Sequence, residues 1–401
     1  MSVQELVVRR GRRSGVTTMV AVHSRTLGPA VGGCRFKVYP GIHDAIDDVL
    51  RLSSAMTRKC AVAGLDFGGG KSVITLESLP TPRQRREILL DHADLIASLD
   101  GAYLAGPDVG TGPDDMLVLR ERTPHVFCVP EEHGGTGSSS GPTAVGVLAA
   151  LRAGAKTVFG DDEMKGRKVV ISGYGSVGAH LATDLVAQGA EVIVSDVDER
   201  RLLAAEEQGL GWVHPERVFG IEAEVLIPAA VGGVFGPATE VKAPLVVGPA
   251  NNQLTEDAVA DGLAARGVVW VPDFVASAGG VVYTLGREAE NLTHAEALAR
   301  VERLESTTRQ ILDAASANGT TPLAEANALA EARLTAGAEP RTPPPREPRV
   351  ADPAPRPTRP VSPRTPGASP GCPPSRSPVP PPDPPCSPTS PASARRRCHP
   401  G

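Results

Sequence analysis

Two lysines with a run of glycines between them are the side chains best suited to chemistry in this sequence. Lys59 and Lys71 flank a short apolar segment, and Gly68, Gly69 and Gly70 directly precede the second lysine. Consecutive glycines cost backbone entropy on folding, so they are expected where the chain turns or passes close to a ligand or another strand. A β-branched stretch follows and predicts a buried strand. The pattern therefore predicts a glycine-rich turn that leads into a strand and points Lys71 into a cleft.

An acid follows another strand-like stretch. Asp108 lies between Pro107 and Val109 in the segment GAYLAGPDVGTG, which reads as a strand that breaks into a loop. An aspartate in a loop bounded by Pro and Gly commonly bonds the local backbone, and a lysine after an ordinary turn is commonly solvated. Taken singly, Lys71 and Asp108 therefore each have a structural explanation as well as a functional one.

The second half of the chain contains a strand, a G-x-G-x-x-G turn, a helix, a second strand and an acid in register. Gly173 permits the tight turn, Gly175 the approach of a pyrophosphate, and Gly178 close packing of helix on strand. The helix N-terminus supplies backbone donors for the phosphates. Asp196 ends the second strand, where a carboxylate can bind the ribose hydroxyls, and an Asp here rather than a nearby Arg favours NAD over NADP. The motif predicts a Rossmann domain that binds NAD.

Later strand-like segments each end in a loop rich in Pro, Gly or Asn; they are 225–227, 245–247 and 268–271. In an open parallel sheet such loops line the ligand crevice. Ala230 lies in the first loop, PAAVGG. Asn251 and Asn252 lie in the second, GPANNQL, where they can offer amide groups to a nicotinamide. One of these asparagines can equally cap the helix predicted after it.

The elements that must position these residues suggest a two-domain α/β protein. Strands at 3–9 and 17–23 and amphipathic helices at 43–57 and 82–98 form the first part. The Gly- and Ser-rich stretch 129–142 is the best internal hinge. The predicted organisation is a substrate and assembly domain (1–140), an NAD-binding Rossmann domain (143–285), helices that pack back across the cleft (286–335), and a Pro-, Arg- and Ser-rich tail (336–401). Most of the 39 prolines are in that tail, which predicts disorder there.

Composition excludes several classes of protein. The 401-residue chain has a formal net charge of −5 and a pI of about 6.0, which gives no reason to expect nucleic acid or an anionic membrane as partner. It has neither a signal peptide pattern nor an apolar run of about 18 residues. The six cysteines lack zinc spacing, so no metal is expected. These features predict a cytoplasmic protein with free thiols.

The motifs together resemble the amino-acid dehydrogenases of the glutamate/leucine/phenylalanine/valine family. The resemblance covers about residues 15–335 and is closest to the phenylalanine, leucine and valine enzymes. It is carried, in the family's order, by LGPAVGGCR, MTRK, GGGKSVI, GPDVGT, GPTAVGV, GYGSVG, GPANNQL and PDFVASAGG. It departs from the family at Ser277, where this branch commonly carries Asn, and at Thr284, which is more polar than the usual residue.

The resemblance implies a role for each matched residue. Lys59 would pair with the substrate α-carboxylate, Lys71 would be the general base that activates water, and Asp108 would exchange protons with the substrate amine. The substrate would also be contacted by Gly32, Gly33, Met56, Thr143, Val281 and Thr284. The cofactor would be contacted by Gly173, Gly175, Ser176, Val177, Gly178, Asp196, Ala230, Asn251 and Asn252.

The implied activity is reversible NAD-dependent oxidative deamination of an apolar L-amino acid to its 2-oxo acid and ammonium, by a homo-oligomer. Two alternatives stay open: an inactive relative that binds NAD as a scaffold or sensor, and an enzyme of the same fold that acts on glutamate. The presence of Lys59, Lys71 and Asp108 argues against the scaffold. Glutamate is disfavoured because the matched segments offer no further cation for a second carboxylate.

Overall fold

The apolar and β-branched stretches of the sequence fold into two separate sheets in the computed structural model, which describes residues 3–338. The predicted two-domain α/β fold is therefore confirmed. Within these residues, every helix falls short of the length and apolarity that crossing a bilayer requires. The disorder predicted for 336–401 concerns residues that, from 339 onward, lie outside the described range. The domain boundaries given above stay a prediction.

The first sheet has five strands in the order β1-β2-β4-β3-β5. Their bounds are β1 (Glu5–Arg10), β2 (Thr17–Ser24), β3 (Ala30–Val38), β4 (Gly68–Leu76) and β5 (Tyr103–Pro107). Strand β2 runs antiparallel to both of its neighbours, whereas β3 runs parallel to β4 and β5. The helices of this lobe are α1 (Ile42–Val62), α2 (Pro82–Ala97) and α3 (Pro113–Arg120).

The second sheet has six parallel strands in the order β11-β10-β9-β6-β7-β8. Their bounds are β6 (Lys168–Ser172), β7 (Glu191–Ser195), β8 (Gly211–Trp212), β9 (Val225–Pro228), β10 (Leu245–Val246) and β11 (Val269–Trp270). The strands are continuous apolar runs because helices cover both faces of such a sheet. The first helices are α4 (Ser140–Phe159), α5 (Ser176–Ala187), α6 (Arg200–Glu207) and α7 (Ala258–Ala265). The later helices are α8 (Asp273–Ala276), α9 (Gly279–Glu288), α10 (His294–Glu302), α11 (Leu304–Asn318) and α12 (Pro322–Ala338).

Helix α12 returns to the first lobe and packs on α1. Arg333 Nη1 donates to the carbonyl oxygen of Ala61 at 3.0 Å, and its Nη2 lies 3.0 Å from Asp66 Oδ1. The carbonyl oxygen of Ala61 also accepts the backbone N–H of Gly64 at 3.2 Å, so Arg333 adds a second bond at the helix end, where the helix dipole favours a cation. The contact holds the end of α1 that carries Lys59.

The glycine-rich turn predicted before Lys71 is wrong. Gly68, Gly69 and Gly70 begin strand β4 and pair with both β2 and β3, and none of them has a positive φ. A Cβ at Gly69 would lie 2.1 Å from the backbone nitrogen of Thr57 in α1. A Cβ at Gly68 would lie 2.0 Å from a carbonyl oxygen of β2. These glycines therefore let a helix lie directly on a strand.

Three further predictions differ from the structure. The segment PDFVASAGG is not a loop, because it forms α8 and the start of α9. Helix α7 begins at Ala258 with Asp257 as its N-cap, so the alternative that Asn251 or Asn252 caps this helix is wrong. Helix α4 begins at Ser140, inside the predicted hinge 129–142.

Adding one methyl group to strand β4 tests the close packing of α1. Gly69→Ala is expected to destabilise the fold by about 3 kcal/mol, because either the helix or the strand must move. Gly262→Ala is the matched control: it lies in α7 with nothing within 4 Å of the added Cβ, so it should be neutral or slightly stabilising. Thermal unfolding of both variants measures the difference. Equal melting temperatures would contradict the packing account.

Candidate active site

A cavity of about 330 Å³ opens where the two lobes face each other. Strands β3 and β4, helix α1 and the loop after β5 supply one wall. The starts of α4 and α5, the loops after β9 and β10, and α8 and α9 supply the other. Most of the predicted substrate and nicotinamide residues meet here: Gly32, Gly33, Met56, Lys59, Lys71, Asp108, Thr143, Val177, Ala230, Asn251, Asn252, Val281 and Thr284.

Lys71 and Asp108 form an ion pair in this cavity. Lys71 Nζ lies 2.7 Å from Asp108 Oδ2, and Arg35 Nε donates to the same oxygen at 2.9 Å. Burial alone would raise the pKa of Asp108, but the charges of Lys71 and Arg35 outweigh it and hold the pKa well below its usual range. Arg35 is itself fixed by Asp48 of α1 at 2.8 Å. Asp108 is therefore an ionised carboxylate between two cations.

Lys59 lies in the last turn of α1 and has a different environment. Its Nζ donates to Asn251 Oδ1 at 2.7 Å, and no carboxylate of the described residues lies within ion-pair distance of it. Burial lowers the pKa of Lys59, the charge of Asp273 opposes this, and the charge of Lys71 adds to the lowering; the resulting pKa is about 8. Lys59 is therefore a buried amine whose cation is open to a ligand.

The absence of a side chain at Gly32 and Gly33 permits this arrangement. A Cβ at Gly33 would lie 2.6 Å from Asp108 Cβ and 3.1 Å from Lys71 Nζ. A Cβ at Gly32 would lie 2.0 Å from the carbonyl oxygen of Gly70 on the neighbouring strand. A larger residue at either position would push β3 away from β4 or separate the ion pair.

The other end of the cavity is apolar. Phe127, Cys128, Met56 and Val281 line it and belong to one hydrophobic cluster that includes residues of both lobes. The hydroxyl of Thr284, which the sequence marks as unusually polar, donates to the carbonyl oxygen of Gly280 at 2.9 Å. The proton of this hydroxyl is thus donated within α9 and not to the cavity.

The glycines of the G-x-G-x-x-G turn have three different surroundings. A Cβ at Gly173 would lie 2.6 Å from the backbone nitrogen of Ala230, and one at Gly178 would lie 2.1 Å from the carbonyl oxygen of Gly173. A Cβ at Gly175 would meet nothing closer than Arg201 Nη1 at 3.9 Å. Helix α5 starts at Ser176 without a side-chain cap. The turn is therefore closely packed at Gly173 and Gly178 and open at Gly175. The open side, with the uncapped backbone N–H groups at the start of α5, fits a dinucleotide pyrophosphate.

Asp196 follows β7 as predicted, and an arginine also lies close to it. Its Oδ2 accepts the backbone N–H of Tyr174 at 2.9 Å, which ties the acid to the glycine-rich turn. Arg201, on the first turn of α6, places Nε 3.6 Å from the same oxygen. This arginine is close enough to bear on the choice between NAD and NADP.

Sequence reasoning missed three contacts of the site. Arg35 shares a strand face with Gly33, since residues two apart on a strand point the same way, and this spacing could have revealed it. Asn251 bonds Lys59. Asp273, whose pKa is raised by burial, accepts the backbone N–H of Gln253 at 2.7 Å. Ser277 turns its hydroxyl to the carbonyl oxygen of Asp273 at 2.5 Å, within its own helix.

The titration of Lys59 is the sharpest test of this geometry. Competitive acetylation by acetic anhydride, followed by peptide mass spectrometry, should show Lys59 losing its proton near pH 8. The denatured chain is the reference, where lysine titrates near 10.4. Because the charge of Asp273 raises the pKa of Lys59, Asp273→Asn should lower the midpoint. A midpoint that does not differ from that of the denatured chain would contradict the structure.

Family models match both lobes of the chain. Residues 2–125 match one described as Glu/Leu/Phe/Val dehydrogenase, dimerisation domain. Residues 195–340 match one described as Glutamate/Leucine/Phenylalanine/Valine dehydrogenase. A solved structure, L-tryptophan dehydrogenase from Nostoc punctiforme, superposes with a TM-score of 0.70 at 28% identity, over 84% of this chain and 97% of that one.

Curated relatives agree with these matches. A leucine dehydrogenase of Bacillus cereus is 36% identical over 336 residues, which are 82% of this chain and 90% of that protein. A phenylalanine dehydrogenase of Caldalkalibacillus thermarum is 35% identical over 329 residues, 80% of this chain and 88% of that protein. The family resemblance found in the sequence is confirmed, and the Rossmann-type lobe implies a nicotinamide cofactor. The chain belongs to the glutamate/leucine/phenylalanine/valine dehydrogenase family of oxidoreductases.

Proposed function

We propose that this protein catalyses the reversible NAD-dependent oxidative deamination of an apolar L-amino acid to its 2-oxo acid, ammonium and NADH. The observation that carries the proposal is the pairing of Lys71 with Asp108, at 2.7 Å, in the same cavity as the unpaired cation of Lys59. The relatives named as leucine and phenylalanine dehydrogenases support the apolar substrate class.

Lys59 is proposed to hold the substrate α-carboxylate. Its ammonium donates one hydrogen bond to Asn251, which leaves two donors for the carboxylate. A charged hydrogen bond of this kind fixes the α-carbon within the cavity, so that the substrate reacts in one orientation. A bound nicotinamide cofactor supplies the hydride acceptor.

Lys71 is proposed to act as general base once the substrate has become an imino acid. In its neutral form Lys71 takes a proton from water while the water oxygen bonds to the imino carbon. Lys71 returns this proton to the amine nitrogen, and the carbon–nitrogen bond breaks as the carbon–oxygen double bond of the 2-oxo acid forms. The hydroxyl proton released in that step converts the departing ammonia to ammonium. Asp108 touches Lys71 and relays this proton. Because Arg35 and Lys71 keep the pKa of Asp108 low, the acid carries a proton only briefly and does not store it.

The apolar end of the cavity supports an apolar substrate over glutamate. Its lining residues Phe127, Cys128 and Val281 carry no charge. The cations of the cavity are Arg35, Lys59 and Lys71, and Arg35 is already paired with Asp48 and Asp108. A side-chain carboxylate at the apolar end would be desolvated without a partner, which is costly.

NAD is the proposed cofactor because the carboxylate of Asp196 would repel a 2′-phosphate, and the guanidinium of Arg201, 3.6 Å away, is already paired with that carboxylate. A homo-oligomer is proposed because residues 2–125 match a model described as a dimerisation domain. Cys34, Cys60 and Cys128 are free thiols, which is consistent with a cytoplasmic location.

Spectrophotometric turnover assays test the proposal. NADH formation should be followed at alkaline pH with valine, leucine, phenylalanine, tryptophan and glutamate, each with NAD and with NADP. At least one apolar amino acid should react, with kcat/KM at least about tenfold higher for NAD than for NADP. No turnover on any of them, while NAD still binds, would favour the scaffold alternative. Turnover on glutamate alone would favour the glutamate enzyme.

Removal of the base separates chemistry from binding. Lys71→Ala should lower kcat about 10³-fold, because general base catalysis is lost. NAD affinity should stay unchanged, since the glycine-rich turn lies in the other lobe. Lys165→Ala, at an exposed lysine, is the matched control and should keep full activity. A loss below about tenfold would mean that another group is the base.

A further inference from the structure

Glu288, the last residue of α9, binds the segment that connects the two lobes. We call residues 127–137, between α3 and α4, the linking segment. One carboxylate oxygen, Glu288 Oε1, accepts three hydrogen bonds from it: the backbone N–H of Cys128 at 2.9 Å, the backbone N–H of Thr136 at 2.9 Å, and the Thr136 hydroxyl at 2.6 Å. The chemistry proposed above uses none of these contacts.

Cys128 has a backbone conformation that its residue type disfavours. Its φ is +60°, in the left-handed region. The other non-glycine residues with positive φ in the described chain are Asp100, Asn252 and Asn291, and Asp and Asn tolerate this region because their side chains bond the local backbone. A cysteine lacks that help, so the surrounding structure must hold it. The hydrogen bond to Glu288 holds the peptide group that leads into Cys128.

Cys128 also lines the cavity. It is 2% exposed, lines the cavity next to Phe127 and Thr284, and belongs to the hydrophobic cluster of the apolar end. The Thr136 hydroxyl that binds Glu288 also lies 3.8 Å from Cys128 Sγ. The backbone conformation at 128 therefore helps to set the shape of the apolar part of the cavity wall.

We propose that Glu288 is a positioning residue that determines substrate specificity, because it holds Cys128 in the left-handed conformation and so fixes the wall against which the substrate side chain packs. The proposal rests on the proposed deamination of an apolar amino acid. A purely structural clamp would affect all substrates alike. A wall that moves changes KM for long side chains and leaves short ones almost unaffected.

Kinetics of Glu288→Ala with two substrates separate these roles. For the best apolar substrate, kcat/KM should fall at least tenfold, mainly through KM. For L-2-aminobutyrate, whose side chain is short, it should change less than threefold. Glu288→Gln keeps an acceptor oxygen, so its kcat/KM for the best apolar substrate should lie between those of the wild type and Glu288→Ala. Glu302→Ala, at an exposed glutamate of α10, is the matched control. Equal losses for both substrates would overturn the proposal.

A double-mutant cycle tests the link to the backbone of residue 128. Glycine adopts positive φ without support. In the Cys128→Gly background, Glu288→Ala should therefore lower kcat/KM for the best apolar substrate less than twofold. A tenfold cost in that background would show that Glu288 acts by another route. The Cys128→Gly substitution itself widens the cavity. This effect is present in both enzymes of the Cys128→Gly pair, so it cancels from the ratio of their kcat/KM values.

Thiol labelling gives a readout that is independent of activity. Burial raises the pKa of the Cys128 thiol to about 12, so the native chain should react slowly with iodoacetamide. The charge of Glu288 also raises this pKa, so the comparison is with Glu288→Gln, which lacks the charge but keeps an acceptor oxygen. The Cys128 rate should be at least tenfold higher in Glu288→Ala than in Glu288→Gln, with the buried Cys34 and Cys60 as internal controls. Equal rates in the two variants would overturn the proposal even in an active enzyme. No wild-type turnover on any amino acid would overturn the proposed function, and with it the specificity role.

Discussion

The ion pair between Lys71 and Asp108 constrains the architecture of the first lobe. Its two charges meet at 2.7 Å only because β3 presents no side chain at Gly33 between them. The strand that carries Lys71 must also accept helix α1 on its face, since α1 brings Lys59 to the same cavity. Glycines at the start of β4 make that close approach possible. Glycines cost backbone entropy on folding, but they are needed here because only they let two lysines and an acid meet in one small space.

The charges of the cavity follow from this arrangement. Three cations and two carboxylates line about 330 Å³, so two ammonium groups face each other in a poorly solvated space. The structure resolves the repulsion unequally. Lys71 is neutralised by a carboxylate, whereas Lys59 faces the neutral amide of Asn251. Burial, together with the charge of Lys71, therefore lowers the pKa of Lys59 to about 8, and its cation gains most when an external carboxylate arrives.

Local signals in the sequence were sufficient for the fold and for part of the site. Periodicity and β-branching predicted most of the strands and helices, and spacing predicted the G-x-G-x-x-G turn with Asp196. The glycines at 68–70 match the composition of a turn, but their cause is the close approach of α1 to Gly69 and of β2 to Gly68, and composition alone does not record such a tertiary contact. Arg35, Asp273 and the Asn251–Lys59 bond were missed for the same physical reason: charges pair across elements, and no local pattern records the partner.

The two ends of the cavity are built from different kinds of structure. Strands β3 and β4 and helix α1 bring in most of the charged end, and their positions are set by hydrogen-bonded ladders and close packing. The apolar end depends on the irregular linking segment, whose conformation at Cys128 is imposed by a side chain of α9. A change at the second place can therefore reshape the space for a side chain without moving Lys59, Lys71 or Asp108. In this fold, substrate range and chemistry are separable because separate elements support them.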